Sequence, residues 1–204
     1  MIFYTIIMNA IKIIKPKLAC FIHSTTMPLW KDSFLIIILE RLKNAGLLSK
    51  LEHLCIVNTG LELNVTHIES KYFPAKIIQY SKETSEFENP TIRQLYVFCK
   101  LHPDYKVLYM HTKGISYKKD HVFLKGIHSW NSYMMHCLID SFPYCVSLMT
   151  IYDTMGCNFR PFESGNGQHY SGNYWWANAR YINKLPIDYL KNKYDPEFWL
   201  LQKE

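Results

Sequence analysis

The segment Tyr105-Lys106-Val107-Leu108-Tyr109-Met110-His111-Thr112-Lys113-Gly114 constrains the fold most: a largely apolar run of β-formers stops abruptly at a histidine, a lysine and a glycine. A run of this kind suits a strand covered on both faces, as in a parallel sheet flanked by helices. Its polar, glycine-containing exit then falls at the carboxyl end of the sheet, where open α/β folds bind their ligands. His111, Thr112, Lys113 and Gly114 are therefore candidate site residues. The competing reading is an ordinary strand exit, with the lysine in water and the histidine packed.

The residues around this segment follow a βαβ rhythm. Leu18-Ala19-Cys20-Phe21-Ile22-His23 reads as a central strand, followed by a polar loop at Ser24-Thr25-Thr26. Between Trp30 and Ala45 the apolar positions Phe34, Ile37, Ile38, Leu42 and Ala45 recur at helical spacing, and Gly46 ends the run. Leu54–Val57 is a second strand closed by Asn58-Thr59-Gly60, and Lys76–Tyr80 a third; the stretch Leu61–Ile68 fits no element clearly. Ser81–Asn89 is polar and acidic and reads as a surface loop, and Pro90 opens a helix whose face is Ile92, Leu95, Tyr96 and Cys99. The alternation predicts a single α/β domain with a mostly parallel central sheet flanked by helices.

Beyond Gly114 the texture changes. Ile115–Lys125 is polar and predicts a long loop of the kind that covers a ligand. Trp130–Ser141 predicts a helix carrying Tyr133, Met134, Cys137 and Leu138 on one side. After it come a glycine-rich stretch, Ser164-Gly165-Asn166-Gly167, and the aromatic segment His169-Tyr170-Ser171-Gly172-Asn173-Tyr174-Trp175-Trp176-Ala177. Clustered Tyr and Trp supply flat faces with polar edges, and a Gly beside an Asn permits close backbone approach to a ligand. His169, Ser171, Gly172 and Asn173 are candidate ligand contacts, while at least one of Trp175 and Trp176 belongs to the core.

A chain of 204 residues that is 49% hydrophobic and 20% charged can bury one substantial core. The domain is expected over 17–204, with 1–16 as an N-terminal arm or an extension of the first strand. A peripheral, tethering role for this apolar start is the alternative. It is too short to span a bilayer and lacks the charged start and cleavage pattern of a secretory signal. The net charge of +6 comes from a dispersed basic excess with no Arg/Lys stripe, which argues against nucleic acid as a partner. Six cysteines without CxxC or zinc-type spacing read as small buried hydrophobes in a reducing compartment, so the expected location is the cytoplasm.

There is no GxGxxG after the first strand, no Walker lysine motif, no GxSxG and no HExxH. His111-Thr112-Lys113-Gly114 remains the strongest local candidate, with groups that suit a leaving nucleoside diphosphate; a general base is needed if the acceptor is a hydroxyl group. A strand-end lysine offsets a diphosphate, and a nearby carboxylate takes the proton. Glu197 is the first candidate base, because it adjoins Phe198 and Trp199, where partial burial could raise its pKa. Asp195 is second and Glu163 third, with a helix cap or a surface charge as the alternative for each. His23 and Ser24, at the end of the first strand, lie on the same expected rim.

Glu88-Asn89-Pro90-Thr91, the segment ending in His111-Thr112-Lys113-Gly114, Trp130 with Met134-Met135, and His169–Ala177 together resemble small glycosyltransferase domains of large DNA viruses, of the chlorovirus and mimivirus type, and of some bacteria. The similarity extends from about Lys17 to Leu200. The resemblance implies a GT-A-like domain that takes a nucleotide-sugar donor and builds glycans, including those of viral capsid proteins, in the host cytoplasm for a viral member. It implies a donor site between the first strand and the strand ending at His111, with Ser171–Asn173 along the donor sugar and Glu197 near the base of an inverting enzyme. Such enzymes usually hold a divalent cation, Mn or Mg, on an Asp-x-Asp motif; here His111-Thr112-Lys113 stands in its place, which puts metal dependence in doubt. Two readings compete. One is a non-catalytic carbohydrate- or protein-binding module that retains the fold; the other is a phosphotransfer or nuclease-like protein, which would need a cluster of metal-binding carboxylates.

Overall fold

The computed structural model describes residues 15–202 except 32, 116, 119 and 162–166. The arm expected over 1–16 therefore lies outside the described residues except for Lys15 and Pro16, as does the candidate base Glu163. The first half of the chain is β1 (Lys17–Thr26), α1 (Ser33–Asn44), β2 (Leu51–Gly60), α2 (Val65–Lys71), β3 (Ala75–Ser81), α3 (Asn89–Leu101) and β4 (Tyr105–His111). In the second half come α4 (Leu124–Met135), a π-helical turn (His136–Asp140), α5 (Phe142–Leu148), β5 (Thr154–Gly156), β6 (Phe159–Arg160), β7 (His169–Tyr170), β8 (Trp175–Asn178), α6 (Ala179–Ile182) and α7 (Asp195–Trp199).

The main sheet has the order β3-β2-β1-β4-β8-β5. Its first four strands are parallel, β8 and β5 complete it antiparallel, and β6 with β7 forms a separate two-stranded ribbon. Because β1 pairs with β2 on one side and β4 on the other, the chain leaves β1 in one direction and returns on its opposite side. Such a reversal leaves a crevice at the carboxyl ends of the two strands. The register His23↔His111 brings both histidines to that edge.

Alternation along the strands builds two cores. Leu18, Cys20, Ile22, Leu108 and Met110 pack with Leu39 and Leu42 of α1 and Met134 of α4. Ala19, Phe21, Val107 and Tyr109 pack on the other face with Ile92 and Leu95 of α3 and Trp199 of α7. Trp175 and Trp176 are successive residues of β8 and so enter opposite cores, each fully buried. Trp176 Nε1 donates to the Leu138 carbonyl (2.9 Å), and Trp175 Nε1 donates to Asn173 Oδ1 (2.8 Å).

Several elements depart from the sequence-based expectation. Ser24–Thr26 and Asn58–Gly60 are strand, supported by side-chain pairs between the strands: Thr26 Oγ1 donates to Asn58 Oδ1 at 2.8 Å, and the Thr25 and Thr59 hydroxyls lie 3.3 Å apart. Trp30 stands before α1, in a turn after β1, and its indole N–H is drawn away to the Tyr117 carbonyl (2.8 Å). The fourth helix starts at Leu124 rather than Trp130, because buried Leu124 extends its apolar face into the segment read as loop. After Met135 its geometry changes to the π-helical turn, where Asp140 pairs with Arg41 of α1. Asn89, read as the end of a surface loop, opens α3 and is buried.

Candidate functional site

A cleft of about 360 Å³ lies at the carboxyl end of β4; its lining comes from β4 and the segments around α3, α4, β8 and α7, and not from β1, which the resemblance placed on one side of the donor site. Glu88 and Asn173 line it together with His111, Thr112, Lys113 and Gly114. Trp130 of α4 forms a wall, while Lys193, Tyr194 and Glu197 enter from the segment around α7. On the other face of the sheet, between α1 and α4, a more apolar cavity of about 390 Å³ shares only Thr112 and Lys113 with the first.

The polar centre of the cleft is Glu88, the residue before α3. Its Oε2 accepts from Tyr109 Oη (2.6 Å) and from Asn173 Nδ2 (2.7 Å), and its Oε1 lies 3.6 Å from His111 Nδ1. Burial by itself would raise the Glu88 pKa; His111, the Tyr109 hydroxyl, His23 and the Asn173 amide outweigh it and hold the carboxyl below its ordinary value. The positive end of α3 acts in the same direction. Glu88 is therefore a fixed carboxylate at neutral pH, poorly suited to carry a proton during turnover.

His111 Nε2 lies 3.0 Å from the Gly172 carbonyl, which only accepts, so Nε2 carries the proton. Burial lowers the His111 pKa, and Lys113 lowers it further, against the opposing pull of Glu88, the Gly172 carbonyl and Glu197. The His111 carbonyl is held by Tyr174 Oη (2.6 Å). His23, one strand away, is placed between Thr91 Oγ1 of α3 (2.9 Å from Nδ1) and Thr25 Oγ1 (3.1 Å from Nε2). Burial, reinforced by His111 and opposed by Glu88, pushes its pKa down to about 4. Thr112 joins the two strands again: its N–H donates to the His23 carbonyl, and its hydroxyl accepts from the Thr25 N–H, both at 2.9 Å.

The candidates named from sequence separate into three groups. His111, Thr112, Lys113, Gly114, Asn173 and Glu197 converge on the cleft. Lys113 Nζ sits 4.6 Å from the centre of the Trp130 ring, and Glu197 Oε1 accepts from the Gly172 N–H at 3.4 Å. His23, Ser24 and Gly172 lie just beneath it: His23 and Ser24 are buried in the sheet, and Gly172, at φ +97°, directs its carbonyl to His111. His169, Ser171 and Asp195 do not line it. His169 Nδ1 bonds to the Gly167 carbonyl (3.0 Å) while its ring packs on Phe198, and the Ser171 N–H donates to the Asn158 carbonyl (3.0 Å). Asp195 Oδ2 accepts from the Lys191 N–H (2.7 Å) and the Asn192 N–H (2.5 Å), the work of a turn-stabilising carboxylate.

Two charged residues of the cleft were not among the sequence candidates. Glu88 stood in a stretch taken for surface loop; the available signal was an acid directly ahead of a proline-opened helix. Lys193 left no local signal, since it reaches the cleft only through the fold of the C-terminal segment.

Three His, Cys, Asp or Glu side chains are nowhere gathered in a metal-binding group among the described residues. Among the same residues, no helix is long and apolar enough to cross a membrane. No curated protein matches the chain. Residues 23–196, which include β1 from its carboxyl end, β4 and the cleft's Glu88 and Asn173, match the model of a family described as a domain of unknown function (DUF8361), and the chain belongs to that family.

Proposed function

We propose that this chain is a GT-A-like glycosyltransferase that moves a sugar from a nucleotide-sugar donor to a hydroxyl of a glycan or glycoprotein acceptor. The observation that carries the reading is the shared cleft: Lys113, just past the end of the central parallel strand β4, and the carboxylate of Glu197 line one cavity at the carboxyl edge of the sheet. A cation at the strand end suits the leaving diphosphate, and a carboxylate across the cavity suits the acceptor hydroxyl.

In the reaction the acceptor oxygen attacks the anomeric carbon and forms the new glycosidic bond. The bond from that carbon to the diphosphate oxygen breaks, and its electron pair leaves with the nucleoside diphosphate. Glu197 takes the hydroxyl proton, and attack opposite the leaving group inverts the anomeric centre. Glu88 serves as a fixed anion that orients Asn173 beside the sugar end of the cleft.

A divalent cation does not fit the groups at this strand end. Among the described residues the cleft is lined by only two carboxylates, Glu88 and Glu197, and no three His, Cys, Asp or Glu side chains gather there to hold an ion. The chain supplies His111, Thr112 and Lys113 where acidic ligands would be needed, so no step is routed through a metal.

A panel of nucleotide sugars scored by thermal shift and by release of nucleoside diphosphate tests the reading. One donor should raise the melting temperature and be consumed, and Glu197→Gln should lower kcat by about 10²- to 10⁴-fold with donor binding retained. A panel with no shift and no consumption returns the chain to the binding-module reading. Unchanged turnover in Glu197→Gln removes that residue as the base.

A further inference from the structure

The cleft contains donors for an anion that nothing in the chain consumes. Lys113 and Lys193 both line it, and neither ammonium has a carboxylate partner among the described residues. Instead each is held over aromatic rings. Lys113 Nζ lies 4.6 Å from the centre of Trp130, and Lys193 Nζ lies 5.2 Å from Phe87 and 5.3 Å from Tyr194. Aromatic faces hold an ammonium in place without neutralising it, so its charge remains available to a ligand.

The backbone adds to this. The N–H groups of Lys113, Gly114 and Ile115, three successive residues of the cleft wall, have no acceptor among the described residues. Gly114 turns the chain with φ +94° immediately after the strand, a conformation that favours glycine. Successive free amides in such a turn form a concave donor surface for anions. Backbone strain marks the lining elsewhere: Phe87 has φ +50°, and its ring is one of the two that hold Lys193. A bulky residue in that region is strained and persists where surrounding structure enforces it.

We infer that Lys113, Lys193 and the amides of 113–115 form a cation-independent cradle for a diphosphate, in which two lysines distant in sequence but lining one cleft replace the charge of a divalent metal. This rests on the donor reading above and extends it in two respects: it assigns Lys193 to the diphosphate, and it makes donor binding indifferent to manganese and magnesium. The two ammonium charges offset most of the charge of a diphosphate ester, and the amides complete the contact without adding charge. None of these donors has to break an existing hydrogen bond among the described residues to engage a ligand.

The test is isothermal titration of the full chain with inorganic pyrophosphate and with a set of nucleoside diphosphates, once in EDTA and once in manganese. Binding is expected in EDTA and should change less than threefold when manganese is present. Lys113→Ala and Lys193→Ala should each weaken it about tenfold, with Lys193→Arg restoring most of the loss. Binding that appears only with manganese overturns the cradle and leaves the donor reading standing. Binding in EDTA that neither alanine variant weakens also overturns it. Absence of binding under both conditions removes the donor reading together with the cradle. Lys193 is exposed, so its variants perturb folding little, and circular dichroism confirms this for each protein used.

Discussion

Acidification should destabilise this protein through His23 before its carboxylates are protonated. His23 is buried between Thr91 and Thr25, and its pKa in the fold is pushed down from 6.5 to about 4. In the unfolded chain it takes up its proton near the ordinary value. Between the two values the unfolded state therefore binds more protons, and stability falls as the pH falls. Relative to neutral pH the loss amounts to about 2 kcal/mol at pH 5 and about 3 kcal/mol at pH 4, where it nears completion. Urea denaturation followed by tryptophan fluorescence at pH 7, 6, 5 and 4 measures it. Because His111 and Glu88 titrate nearby, wild type is compared with His23→Asn, which keeps a short polar side chain beside Thr91 and has no proton to gain. The variant should be less stable at pH 7, and the gap should shrink by about 2 kcal/mol at pH 5 and about 3 kcal/mol at pH 4. A gap that stays constant from pH 7 to pH 4 would refute the buried neutral histidine.

Two further predictions concern the cleft's supports. Tyr109→Phe removes a buried 2.6 Å hydrogen bond to Glu88 and should cost about 1–3 kcal/mol at pH 7. In wild type the contribution of the depressed Glu88 is lost as pH falls from the ordinary value of 4.5 through the lower value in the fold. Without the Tyr109 hydrogen bond the depression and the contribution should be smaller and the loss complete at a higher pH, as an acid-unfolding titration would show. Gly172→Ala would place a methyl group 2.5 Å from Met134 Sδ and 3.1 Å from the Trp130 ring, at φ +97°, and should cost about 2–4 kcal/mol in urea melts. Gly126→Ala, in exposed helix with no atom within 4 Å, should instead stabilise by up to about 1 kcal/mol. Equal effects of the two alanines would remove the steric account of Gly172.

Much of the first half was legible because its signals are local. The Val107–Met110 run ends where β4 ends, Gly46 follows α1, and Pro90 lies in the first turn of α3. The periodic apolar positions had only one way to be buried, against a sheet whose strands are covered on both faces. Local signal failed where polar side chains found partners across the fold. Ser24–Thr26 and Asn58–Gly60 read as loops, yet they continue as strand, supported by hydroxyls and an amide that meet between neighbouring strands.

The site divides in the same way. His111, Thr112, Lys113 and Gly114 could be read as a strand exit at the binding edge, because that edge follows from the order of strands and helices. The sequence alone determined an α/β domain and one wall of its cleft. Only the tertiary structure decided what faces that wall. Glu88 comes to His111 and Asn173 through α3, Glu197 to Gly172 through α7, and Lys193 from the segment before it. Asp195, adjacent in sequence to the same cleft residues, is consumed by the backbone of its own turn instead. The reason is physical: a strand terminus is set by burial along one segment, whereas the charge environment of a cleft is the sum of groups distant in sequence and close in space.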